Sequence, residues 1–238
     1  MKILMVSTFE HGGATIAARR QAEALEKIGL ECDLISIKED LTCEQTHLSR
    51  DKNQILINVP ASSWSYTRRI TTAYCENNRS VDSNTWFSFW QNETFFDDEL
   101  LNICKEYDVI HFHWISHFIS SRFIYALKDM NKKIVFTGHD MNHFTGGCHY
   151  NAGCRKFESS CSSCPHLIND PLNFVDSSYY LKISVLNSLD AEWLFPSQWL
   201  LDEFNLSKLK KKNTPSSLLR NCIDTDKFNV VNSKKIKE

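Results

Sequence analysis

The sequence predicts an α/β protein, a parallel sheet of about six or seven strands with helices on both faces. Two observations predict it. Apolar runs of strand length alternate with longer stretches whose apolar residues recur at helical spacing. The first strand–helix–strand connection is long and turn-rich, the pattern of a βαβ unit.

Lys2 to Ser7 (KILMVS) reads as a buried strand, and Thr8 to Gly13 supplies the turn after it. Ala14 to Ile28 follows with Ala18, Ala22, Leu25 and Ile28 on one helical face, and Gly29 closes that helix. Leu30 to Ile37 is the second strand and Gln54 to Val59 the third, and strand, helix and strand follow with no tight hairpin between them. Residues 61–93 mix Arg68, Arg69 and Arg79 with Trp64, Tyr66, Trp86, Phe87, Phe89 and Trp90. That mixture suits either a membrane surface or an ordinary core helix with a long loop. Phe96, Leu100, Ile103 and Tyr107 mark an amphipathic helix. Asp108 to His113 is a fourth strand, Phe118 to Met130 a helix, and Lys133 to Thr137 a fifth strand. A helix at 179–188, a strand at 191–195, a helix at 197–204 and a last strand at 216–220 complete the alternation. The lysine run Lys208 to Lys212 reads as a solvated loop.

Composition sets limits on function. Apolar residues make up 42% and charged residues 24% of the 238, ordinary values for a globular chain. A formal charge of -2 gives no general pull towards nucleic acid. No apolar run approaches the roughly 20 residues of a membrane span, and the start is too soon interrupted by Glu10 and His11 for a signal peptide. A cytoplasmic location is therefore expected. Nine cysteines cannot all pair within one chain. Cys32, Cys43, Cys75, Cys104 and Cys222 are scattered and read as small buried hydrophobes.

The chemistry concentrates where strands end, because ligands of parallel sheets bind beyond the strands' carboxyl ends. Gly12 and Gly13 lie between the first strand and first helix, where bare backbone and a helix amino terminus suit a phosphate; a packing turn is the competing explanation. The pattern lacks the third glycine of a dinucleotide fingerprint, so an oxidoreductase is disfavoured, although Glu39 and Asp40 sit where a ribose-binding acid would. His111 and His113 share one face of the fourth strand, His113 nearer the ligand edge and His111 reading as a core residue. His139 follows the fifth strand, with Asp140 placed to orient it or to cap the next turn. Cys148, Cys154, Cys161 and Cys164 then follow at C-x5-C-x6-C-x2-C spacing within a loop over 138–170. Four thiols suit a tetrahedral structural zinc, with His143, His149 or His166 as substitute ligands; free thiols or two disulfides are the alternatives. A closed site of this kind leaves no open position, so no catalytic metal is expected.

These pieces together resemble the amino-terminal, acceptor-side half of retaining GT-B glycosyltransferases of family four. The matching segments are KILMVSTFEHGGA, DVIHFHW, VFTGHDMNHFTGGCHYNAGCRKF, CSSCP, FPSQWL and LRNCIDTDKF. The resemblance covers essentially the whole chain, and its cysteine-bearing part is typical of a subgroup from bacterial surface-polysaccharide clusters. It implies a Rossmann-like domain over 1–220 and the start of an interdomain linker over 221–238. It implies that Gly12 and Gly13 approach the donor diphosphate or acceptor, that His139 contacts the transferred sugar as the catalytic histidine, and that His113 and Asp140 line the same cleft. It further implies a nucleotide-sugar donor, a lipid-linked oligosaccharide acceptor, contact with the inner face of the plasma membrane, and a donor-binding domain missing from this chain, without which it would be inactive. Arg220 and Cys222 stand where the family usually has Pro and Gly. The competing reading is a non-catalytic, zinc-stabilised Rossmann-like binding module.

Overall fold

The computed structural model describes residues 1–225 and 228, the side chains of 62–67 excepted. Eight strands form one sheet in the order β3-β4-β2-β1-β5-β6-β7-β8: β1 Lys2–Phe9, β2 Glu31–Asp40, β3 His47–Asp51, β4 Gln54–Pro60, β5 Val109–Phe112, β6 Lys133–Thr137, β7 Ala191–Phe195 and β8 Ser216–Leu218. All neighbours pair in parallel except β3 with β4. The sheet thus has one strand more than expected, and a hairpin lies where none was foreseen. Its turn places Lys52 in the left-handed region at φ 49°. The strand HLSRD is mostly exposed and polar, so it carries no alternation to read; charged residues on an edge strand also discourage pairing with another chain.

Among the described residues six α-helices connect the strands: α1 Gly13–Glu26, α2 Ala61–Asn77, α3 Asp97–Cys104, α4 Ser121–Ala126, α5 Phe174–Leu186 and α6 Gln198–Leu206. Because β side chains alternate, β1 feeds two cores. Ile3 and Met5 meet Ala18 and Ala22 of α1 on one face. Leu4 and Val6 join a larger core on the other, with Leu100, Phe123, Tyr179 and Phe204 from α3 to α6. Within it Phe112 stacks on Phe136 at 4.9 Å and Phe136 on Trp193 at 4.6 Å. Truncating one such ring costs about 3–5 kcal/mol, so the rows that carry the strand ends are held stiffly.

The aromatics of 86–90 divide rather than forming one membrane-facing set. Phe89 and Trp90 are buried and Trp86 is exposed, while the side chains of Trp64 and Tyr66 lie outside the described residues. Among the described residues no helix is long and apolar enough to cross a membrane. Cys32, Cys75 and Cys104 are buried as expected, but Cys43 and Cys222 are only partly so. The expected linker over 221–238 falls largely outside the described residues.

Candidate functional site

Strands β1, β5 and β6 are adjacent and parallel, so the loops after them share one sheet edge. Gly12 is exposed at the end of the first of these loops and Gly13, also exposed, opens α1, while His113 follows β5 and His139 follows β6. Gly12 adopts φ 130°, ψ 167°, a conformation essentially confined to glycine. An added Cβ at Gly12 or Gly13 would meet nothing within 4 Å, so the backbone here is open to a ligand. The Ser7 and Thr15 hydroxyls bond each other at 2.8 Å, and Thr15 donates to the Phe9 carbonyl at 2.7 Å, pinning α1 to the end of β1. No acidic residue occupies the first turn of α1, whose unpaired N–H groups favour an anion.

The β5 and β6 ends are dense with imidazoles. His113 is buried, its N–H donates to the Val6 carbonyl, and its Nδ1 lies 2.9 Å from Nε2 of His139. His113 Nε2 is buried without a hydrogen-bond partner. An unpaired buried acceptor is tolerated better than an unpaired donor, which favours the tautomer with the His113 proton on Nδ1, donating to His139. That bond leaves His139 protonated on Nδ1, with an N–H available to a ligand. His139 is partly exposed, as a substrate contact requires, and burial pulls it down to about 4, so it is neutral at physiological pH.

Asp140 does not orient His139. Its Oδ1 accepts from the Asn142 N–H at 2.8 Å, capping the turn, and its Oδ2 accepts from Trp114 Nε1 at 3.1 Å and faces His149 Nδ1 at 3.3 Å. Both oxygens are therefore engaged by the protein, and a direct substrate role for Asp140 finds no support in this arrangement. Burial raises the Asp140 carboxyl and lowers His149. His111 is a core residue as expected, bonded to the Thr137 hydroxyl at 2.8 Å and pulled down to about 3 by burial.

Two of the substitute zinc ligands belong to this layer instead of the cysteine loop. His143 Nε2 donates to the His113 carbonyl at 3.2 Å, and His149 Nε2 pairs with the Ser88 hydroxyl at 2.7 Å. The third, His166, lines the cysteine cavity, but its Nε2 bonds the Asn151 carbonyl at 2.9 Å. The four cysteines are free thiols lining one cavity. Among the described residues no three His, Cys, Asp or Glu groups stand in metal-holding geometry, so the expected ligand set is gathered but not closed.

Sequence reasoning missed Asn142 and Lys182. Asn142 Nδ2 donates to the carbonyls of Ser88 and Gly147, each at 2.8 Å, and its Oδ1 accepts from Ser116 at 2.8 Å. Lys182, on α5, is buried and donates to the Asn142 carbonyl at 2.6 Å; burial draws it down to about 8. Asn142 lies in a short 3₁₀ turn and Lys182 in the middle of α5, and neither setting marks the residue in the sequence.

No protein-family model matches the sequence. A segment of 111 residues is 28% identical to WcaC of Escherichia coli K12, assigned to colanic acid biosynthesis as a glycosyl transferase; it covers 43% of this chain and 27% of that protein. The whole chain superimposes on part of the E. coli trehalose-6-phosphate protein solved with UDP-2-fluoro glucose, with TM-score 0.51, 11% identity and 53% of that chain covered. A trehalose-6-phosphate synthase, OtsA, gives TM-score 0.50 at 10% identity, with all of this chain and 54% of the other covered. The fold is GT-B-like. The chain spans about half the length of these solved structures.

Proposed function

We propose that this chain is the acceptor-side half of a nucleotide-sugar-dependent, retaining hexosyltransferase that works on a lipid-linked oligosaccharide in surface-polysaccharide synthesis. The observation that carries this reading is the shared edge of β1, β5 and β6. The loop that carries an open glycine backbone at a helix amino terminus and the loop that carries a neutral, partly exposed His139, whose tautomer His113 fixes, both leave the sheet at this edge. The likeness to WcaC and the GT-B-like fold support it from outside the site.

In this reading the Gly12–Gly13 backbone approaches the donor diphosphate, and the His139 N–H binds a hydroxyl or carbonyl oxygen beside the transferred sugar. His113 acts through His139, as a positioning residue. The nucleotide is held chiefly by a second domain, and the work takes place at the cytoplasmic face of the plasma membrane. The test is transfer of label from a panel of nucleotide sugars to lipid extracts by the two-domain enzyme containing this half. A labelled lipid product formed from one donor is expected. Binding of glycan without transfer from any donor would instead favour a non-catalytic binding module.

A further inference from the structure

Cys148, Cys154, Cys161 and Cys164 line a single small cavity of about 10 Å³ between Gly146, Phe157, Pro165 and Val175, about the room one small sphere needs. Each of the four thiols lies in electrostatic range of at least two others. Backbone N–H groups are aimed at the sulfurs. Gly146 donates to Cys161 Sγ at 3.1 Å, and Lys156 donates to Cys154 Sγ at 3.5 Å from two residues along the chain. His166, two residues beyond Cys164, directs its N–H at that sulfur in the same way. Gly146 makes this possible, because a Cβ there would lie 2.9 Å from Cys161 Cβ and 2.4 Å from Val175. N–H donors stabilise a thiolate more than a thiol, whose sulfur is only a weak acceptor. The buried Lys182 ammonium interacts with Cys161 and Cys148 and offsets negative charge gathered there.

We propose that these four cysteines bind one zinc ion as thiolates. As placed, the sulfurs are not at the spacing of a ligand set. Binding requires the sulfurs to converge on the cavity they line, through side-chain torsions that step between staggered wells, to zinc–sulfur bonds of about 2.3 Å. As each bond forms, one thiol proton leaves to solvent, so uptake is favoured by rising pH. The bound ion cross-links Cys148, next to His149, to the loop around Cys161 and Cys164, and so fixes the turn that His149 and Asp140 join. With all four positions filled by sulfur, it offers substrate no coordination site.

Cobalt(II) titration of the reduced, chelator-stripped chain tests this. The expected result is intense thiolate-to-cobalt charge-transfer absorption with tetrahedral d–d bands, saturating at one equivalent and bleached by zinc. Cys161→Ser should weaken the metal by at least tenfold and dim the charge-transfer band, while Cys43→Ser should change neither. Absence of thiolate bands in the wild-type chain would overturn the proposal, and that arm stands even if Cys161→Ser fails to fold. So would full alkylation of the four thiols in the native chain with zinc present, or a Cys161–Cys164 disulfide formed in preference to metal uptake.

Discussion

Between residues 111 and 166 the chain sets two chemical clusters side by side, and they are held by different means. His111, His113 and His139 sit on or just beyond β5 and β6, positioned by sheet register, with His111 bonded to Thr137 and His113 to His139, while His149 reaches back from the loop to Ser88 and Asp140. The cysteines sit in a loop whose regular structure, among the described residues, is limited to two short 3₁₀ turns at Asn142–Phe144 and Lys156–Glu158, around a cavity they share. A sheet positions polar groups through its backbone, whereas a loop poor in apolar residues needs a further cross-link to do so. Asn142 and Lys182 join the two regions, since Asn142 bonds Ser116 beyond β5 and Gly147 in the loop, and Lys182 bonds the Asn142 carbonyl.

Acid should strike the histidine side first and with the largest effect. Burial holds His111 and His143 near about 3 and His117 and His139 near about 4, against an ordinary 6.5. The folded chain therefore binds fewer protons than the unfolded chain between those values, and stability present above pH 6.5 is lost as pH falls. Each such histidine contributes a slope of about 1.4 kcal/mol per pH unit. Urea denaturation at stepped pH should show a total loss of about 8 kcal/mol by about pH 5 relative to the neutral plateau. A flat profile between pH 6.5 and 5 would mean that the imidazole layer is hydrated.

The link between the regions should carry the next largest effect. Asn142→Ala strands the Ser88 carbonyl and the Ser116 hydroxyl and leaves the Gly147 carbonyl with the Ser88 N–H alone, at a cost of about 2–4 kcal/mol in chemical denaturation. Hydrogen exchange should then rise on both sides, near His113 and across 145–150. Faster exchange on one side alone would break the coupling.

Lys182→Met should be the mildest change, within about 1 kcal/mol at neutral pH, because an apolar replacement removes a buried charge together with its one bond. Its signature is the pH dependence of the difference from wild type. Lys182 is held at about 8 against an ordinary 10.5, so the folded wild type binds fewer protons across that window and gains stability as pH rises. The variant lacks that gain. A wild-type-minus-variant difference that stays constant from pH 7 to 10 would place the ammonium in contact with water.

The parts of the fold that the sequence made legible are those with strong periodicity. The β6 and β7 strands fall on Lys133–Thr137 and Ala191–Phe195 as read, and α1 and its glycine stop lie within two residues of expectation. The β3 hairpin was hidden because an exposed edge strand has no buried face to impose a pattern. In the site, position along the chain revealed which residues end strands, hence Gly12, His113 and His139. It did not reveal partners. Asp140 adjoins His139 in sequence yet bonds Trp114, His149 and Asn142, while His113, 26 residues away, bonds His139 because β5 and β6 are neighbours in register. Lys182 was invisible for the same reason, since only the packing of α5 beneath the loop buries it.

The central claim, that His139 meets the transferred sugar at the edge of β1, β5 and β6, is tested most directly by the initial rate of sugar transfer in the two-domain enzyme carrying His139→Ala. The expected result is a fall in turnover of at least about tenfold, the scale of a lost positioned donor, with an unchanged circular dichroism spectrum and unfolding midpoint. Wild-type turnover in a folded His139→Ala enzyme would contradict the account.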